Sequence, residues 1–184
     1  ETQARYWRPK PGEELYQTAA DPFEIRNLAH DPGCAARIDT LRAALRDEIL
    51  KARDVGFIPE GMFPRLAGDK TIYDYAQSDA YPIRKILDLA DRASDGDPMH
   101  LKDFIAALDD THPVVRYWAA TGCLVLKADA APAKDRLRAR LSGEWADVRV
   151  VAAESIAYLG EPKSALDAIA AVLREGNLHE ALAA

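Results

Sequence analysis

At 184 residues, 48% hydrophobic and 29% charged, the chain has the composition of a folded globular protein of one domain or two small ones, not of a disordered segment. Its formal net charge of −6 argues against a nucleic-acid surface, and even Lys134, Arg136, Arg138 and Arg140 are spaced so as to spread around a helix instead of along one face. No run approaches 18 consecutive apolar residues and the first thirty residues lack a secretory pattern, so neither a nucleic acid nor a membrane is expected as a partner, and the compartment stays open.

The first region spans residues 1–55. Glu14-Leu15-Tyr16-Gln17 alternates polar and apolar side chains, which suits a short edge strand, with Arg5-Tyr6-Trp7 as its neighbour across Pro9-Lys10-Pro11-Gly12. Asp21-Pro22 then reads as the start of a helical turn, with Asp21 as cap, Pro22 at the first position and Glu24 at the third. Asn27-Leu28-Ala29 closes that turn. After a second start signal at His30-Asp31-Pro32, Ile38, Leu41, Leu45, Ile49 and Leu50 mark an amphipathic helix running to about Arg53. The succession E-E-L-Y, D-P, E-x-x-N-L-A, a further Asp-Pro and a long L-x-x-x-L helix closely resembles the C-terminal end of type I sulfatases, the alkaline-phosphatase-like arylsulfatase family. The residues that carry it are Glu13, Glu14, Leu15, Tyr16, Asp21, Pro22, Glu24, Asn27, Leu28 and Ala29, with Gln17 where that family commonly has Asp. The resemblance implies a strand given to a small C-terminal sheet, followed by a helix that packs back on the family's catalytic domain.

Residues 56–96 form the second region. Gly56, Pro59, Gly61, Pro64 and Gly68 give it the look of a linker, but Phe57, Ile58, Met62, Phe63, Leu66, Ile72, Tyr73 and Tyr75 are too many apolar side chains to leave in water. The expectation is an ordered, irregular connector with one or two short helical turns, then a helix within "YPIRKILDLADRAS". Together with "RDVGFIPEG", that helix is similar to the continuation found in bacterial sulfatases that carry a solenoid tail.

Residues 97–184 repeat. At an offset of 33, "HPVVRYWAATGCLVL" overlays "WADVRVVAAESIAYL", matching Val115-Arg116 to Val148-Arg149, Ala119-Ala120 to Ala152-Ala153 and Leu126 to Leu159. A preceding helix recurs at the same offset, with Phe104 and Leu108 matched by Leu137 and Leu141. A third, incomplete copy has its first helix over residues 163–175 and opens its second at "NLHEALAA". Small residues let helices approach closely, and Val115, Leu124, Val148, Val151, Ile156 and Leu159 supply an apolar stripe. This pattern resembles HEAT-type α-solenoid repeats, in which Arg116 and Arg149 are structural residues bonding the preceding loop or a neighbouring acid. The expected fold class is therefore mainly α: an α-solenoid of HEAT-like helix pairs, preceded by a short β-strand or ribbon and a helix from a sulfatase C-terminal subdomain.

Sulfatase chemistry needs a C/S-x-P-S/T-R segment, whose Cys or Ser becomes formylglycine, and an Asp/Asn cage for a divalent cation, usually calcium. Cys34 and Cys123 lie in other contexts, and "THPVVR" has Thr at the nucleophile position and Arg one place late. His30, His100, His112 and His179 lack metal-ligand spacing. Acidic pairs such as Asp109-Asp110 read as solvated helix ends. The two cysteines read as buried free thiols in helices, a disulfide being open only if the fold brings their Cα atoms within about 7 Å. No catalytic, cofactor or metal residue is assigned here, and formylglycine and calcium would belong to the parent enzyme. Two functions are carried forward. One is the non-catalytic C-terminal region of a sulfatase-family hydrolase, serving structure, substrate access or oligomerisation, with its own catalytic domain, another protein or a second copy as partner. The other is a free-standing HEAT-repeat protein-protein interaction module.

Overall fold

The structure, a computed structural model, describes residues 11–175. It is mainly helical, and among those residues no β-strand forms. The chain divides into two compact units, Glu1–Ala52 and Arg53–Ala184.

In the first unit the segment expected as an edge strand has no strand partner among the described residues; its proposed neighbour, residues 5–7, lies outside them. The backbone of residues 13–15 is bonded instead to the loop around Asn27, which takes up the groups a ladder would have used. The helical turn expected after Asp21-Pro22 is also replaced. Glu24 sits at φ 52, in the left-handed region, which interrupts any right-handed helical run there. Asp31 then caps a 3₁₀ turn, Pro32–Cys34, by accepting from the Gly33 N–H at 2.9 Å, and helix α1 follows over Ala35–Ala52. Of the apolar stripe on α1, Ile38 is buried, whereas Leu41 and Leu45 are 49% and 64% exposed.

The second unit opens with the connector, which is ordered. Two 3₁₀ turns, Val55–Phe57 and Glu60–Met62, lead into α2 (Phe63–Ala67) and α3 (Ile72–Ala76). Helix α3 begins with a capping box: the Thr71 hydroxyl accepts from the Asp74 N–H and the Asp74 carboxylate accepts from the Thr71 N–H. The helices α4 (Ile83–Asp95), α5 (Leu101–Ala107), α6 (Pro113–Leu126), α7 (Lys134–Arg140), α8 (Ala146–Tyr158) and α9 (Pro162–Glu175) complete the unit, with a 3₁₀ stretch, Lys127–Ala133, between α6 and α7. Helix α6 packs on α4, α5 and α8, and α8 packs on α6, α7 and α9. Matched positions of the 33-residue offset share an environment: Val115 and Val148, Ala119 and Ala152, and Ala120 and Ala153 are all buried. Leu159, matched to buried Leu126, is only half-buried. Ser155 crosses the α6–α8 contact by donating to the Ala120 carbonyl at 3.3 Å, while Gly122 makes room for the fully buried Phe104 ring. The second helix of the third copy, from residue 176 on, lies outside the described residues.

Candidate functional site

Three of the motif residues of the first unit, Glu13, Leu15 and Ala29, converge on one side chain, that of Asn27. Asn27 Oδ1 accepts from the backbone N–H of Leu15 and of Ala29, each at 2.9 Å, and Asn27 Nδ2 donates to the Glu13 carbonyl at 3.0 Å. The Leu28 N–H donates to the Leu15 carbonyl at 2.8 Å. The short amide offers an acceptor oxygen and a donor nitrogen side by side, which lets Asn27 serve three backbone groups at once. Asp21 anchors the other end of the loop, accepting from the N–H of Ile25 at 3.1 Å and of Arg26 at 2.8 Å, and these two donors hold its carboxyl below the usual range. Glu13 forms a bidentate pair with the Arg42 guanidinium on α1, at 2.5 Å for both contacts, which also lowers its pKa. Glu14, Pro22 and Glu24 are exposed, and Leu15, Tyr16 and Leu28 are half-buried. Phe23 and Ile25, between the anchors, are 82% and 76% exposed.

In the second unit Arg53, itself at φ 50, donates to the carbonyls of Ser78 at 2.6 Å and Tyr81 at 2.9 Å and also to that of Ala76. Beside this clamp, Tyr75 Oη lies 2.6 Å from His112 Nε2 and 3.3 Å from the Ala80 carbonyl. The arrangement that satisfies both contacts has Nε2–H donating to the phenol and the phenol donating to the carbonyl. Burial lowers the His112 pKa and raises that of Tyr75. Arg116 donates through Nη1 to the Asp110 and Thr111 carbonyls at 2.6 and 3.0 Å, closing the loop before α6. Arg149, its counterpart on α8, faces the Glu175 carboxylate at 3.6 Å.

The connector crosses the α6–α8 face. Trp118 Nε1 donates to the Phe57 carbonyl at 2.9 Å while the two rings meet at 6.1 Å. Arg65 stacks 4.3 Å over the Trp145 ring and donates to the carbonyl and carboxylate of Glu144 at 3.0 and 2.9 Å. Met62, between them in sequence, is fully buried. These are contacts between residues some 61 to 80 apart, a distance over which no local pattern carries information.

No protein-family model, curated protein or solved structure matches this chain.

What the described residues offer chemically is a set of paired charges. A shallow cavity of about 260 Å³ between α4 and α5 is bordered by Lys85, which pairs with Asp110, and by Arg92, which pairs with Asp103 at 2.9 Å. Among the described residues no group of three His, Cys, Asp or Glu side chains could hold a metal ion, and no helix is long and apolar enough to cross a membrane. Both cysteines are free. Cys123 is buried and its thiol is pushed up to about 12, which leaves it protonated and unreactive, while Cys34 is half-buried in the 3₁₀ turn before α1.

Proposed function

We propose that this chain is the non-catalytic C-terminal region of a type I sulfatase-family hydrolase, a closing unit followed by an α-solenoid of HEAT-like helix pairs. The parent's reaction is sulfuric ester hydrolysis, with formylglycine and a divalent cation such as calcium held by its catalytic domain. The observation that carries the reading is the Asn27 knot: Glu13, Leu15, Asn27 and Ala29 of the sulfatase-like motif bond one another through the Asn27 amide, while Asp21 holds the adjoining loop through the Ile25 and Arg26 N–H groups. A motif whose members hold one local structure together is a stronger resemblance than the same letters scattered over a surface. Phe23 and Ile25, left in solvent between the anchors, suit a unit that completes a larger surface. The 33-residue offset and the order of packing from α4 to α9 support the solenoid. Against a free-standing HEAT-repeat interaction module stands the connector, because the α6–α8 face it would offer a partner already carries Phe57, Met62 and Arg65.

The reading frame upstream of Glu1 is the test. A C/S-x-P-S/T-R segment in that frame supports the proposal; a frame without one overturns it. The purified chain alone should show no arylsulfatase turnover.

A further inference from the structure

The start of α6 carries a buried nitrogen with nothing to bond. His112 stands immediately before Pro113, and its Nε2 lies 2.6 Å from Tyr75 Oη on α3. Its Nδ1 is buried and has no hydrogen-bond partner among the described residues. With Nε2–H donating to the phenol, the imidazole is neutral and Nδ1 presents only a lone pair. A proton added there would place an N–H donor and a positive charge where no acceptor stands.

Burial opposes the charged ring most strongly, and the groups around it do not offset that. From the loop before α6, the Asp110 carboxylate attracts it, but Oδ1 already accepts from the His112 backbone N–H at 2.7 Å and Oδ2 from Lys85. The Ala80 carbonyl, also favourable, is engaged by Tyr75 Oη at 3.3 Å. Lys85 from α4 and Arg116 from α6 repel the imidazolium, and from α3 it meets only the neutral Tyr75 phenol.

The element across this contact is lightly held. Helix α3 is five residues long and packs chiefly on α2 and on the turn Val55–Phe57, and it is Tyr75 that bonds it to the α6 end. Phe57 at Trp118 and Arg65 at Trp145 anchor the rest of the connector, while Arg53 holds the turn after α3 through the Ser78 and Tyr81 carbonyls. A break at His112 can therefore stay local.

We infer that the Tyr75–His112 contact is an acid-opened latch: protonation of His112 releases α3 from the start of α6 while the rest of the second unit stays folded. The open ring takes the proton and the closed one does not, so acid favours opening and neutral pH favours closure. The inference is independent of the sulfatase reading, since it uses only α3, α6 and the groups that face His112.

Amide exchange on the full chain tests it, each rate being corrected for its intrinsic pH dependence. A histidine in water titrates near 6.5, so the opening constant of the latch should rise about tenfold from pH 7.5 to pH 5.5. A five-residue helix released from its packing frays, so protection at Tyr75, Gln77 and Ser78, whose N–H groups bond within α3 and its following turn, should fall by that factor. Protection in the middle of α6 and α8 should hold. His112→Gln keeps a donor for Tyr75 without the titration and should give the same α3 protection at both pH values, whereas His100→Gln should leave the tenfold change in place. The parent chain alone can overturn the inference: protection at α3 that ignores pH, or that falls equally in α6 and α8, refutes a local latch. A tenfold change that persists in His112→Gln overturns it too, by assigning the proton to another group.

Discussion

Replacing Gly122 by Ala sets two well-measured effects against each other. In an exposed helix interior the change stabilises by about 1 kcal/mol, because glycine is the poorer helix former. Within α6, however, a Cβ built on Gly122 would lie 2.5 Å from Cε1 and Cζ of Phe104 and 2.7 Å from its Cδ1. Carbon atoms settle about 3.5–4.0 Å apart, so the ring must retreat by about 1 Å. Phe104 is fully buried on α5 where it packs against α6, so the retreat is taken up by shifting α5 from α6. Overpacking of this kind costs about 1–3 kcal/mol, and with most of a ring in the way the upper end applies. After subtracting the helix gain, the net loss is about 2 kcal/mol, which for a chain of this length lowers the melting temperature by roughly 4–8 °C. Urea and thermal unfolding followed by circular dichroism measure it. Combining Gly122→Ala with Phe104→Leu should cost less than the sum of the two single changes, since the smaller side chain vacates the space the methyl needs. A Gly122→Ala protein as stable as the parent, or more so, would show that helix propensity wins and that Phe104 does not fill the space over Gly122.

Three further outcomes follow from the geometry. Asn27→Ala removes three bonds to backbone groups and should destabilise the first unit by about 1–3 kcal/mol, with faster amide exchange at Leu15 and Ala29; unchanged exchange there would refute the knot. In the native protein a thiol reagent should titrate Cys34 promptly and Cys123 only on unfolding, so two fast thiols would contradict the burial of α6. Because the His112 pKa is lowered in the folded state from its ordinary 6.5, the unfolded chain binds the extra proton. Stability should therefore fall as pH drops below about 6.5 and level off once the folded pKa is passed. The same titration in His112→Gln should be flatter over that window, and an identical slope would exclude His112 as its source.

Local signals in the sequence were legible where the local chain decides the outcome. The 33-residue offset located α6 and α8 because their buried positions are set by helical spacing alone, and the T-x-x-D beside Ile72 marks the capping box of α3 for any reader who looks for it. The strand over residues 13–17 was a different matter. Alternation of Leu15 and Tyr16 describes a chain with two faces, but a strand also needs a partner, and Asn27 supplied the hydrogen bonds from another direction. Glu24 defeated the helical turn for a similar reason, since nothing in a D-P-x-E pattern announces a left-handed residue. Leu159 sits at the right place in the offset and yet is only half-buried: it is the C-cap residue just past the end of α8, whereas Leu126 lies within α6. Long-range contacts such as Trp118 with Phe57 and Arg65 with Trp145 join segments whose spacing carries no period, so only the folded chain displays them.

A row of helices in which each touches only its neighbours can unzip from either end and can grow by one module without protest. The connector changes that arithmetic. Phe57 is tied to Trp118, and Arg65 to Glu144 and Trp145, so a single short stretch spans α6 and α8 at once like a stitch through two pages. Opening α6 from α8 must tear the stitch, which binds these two helices into one cooperative event, whereas α9 beyond its reach is left free to peel away first. An extra helix pair spliced between α6 and α8 would carry Trp145 away from Arg65 by the thickness of a layer, about 10 Å, which is farther than a guanidinium can follow. The spacing of α6 and α8 is thus set by the connector, and no further helices can enter at that joint unless the connector lengthens with them.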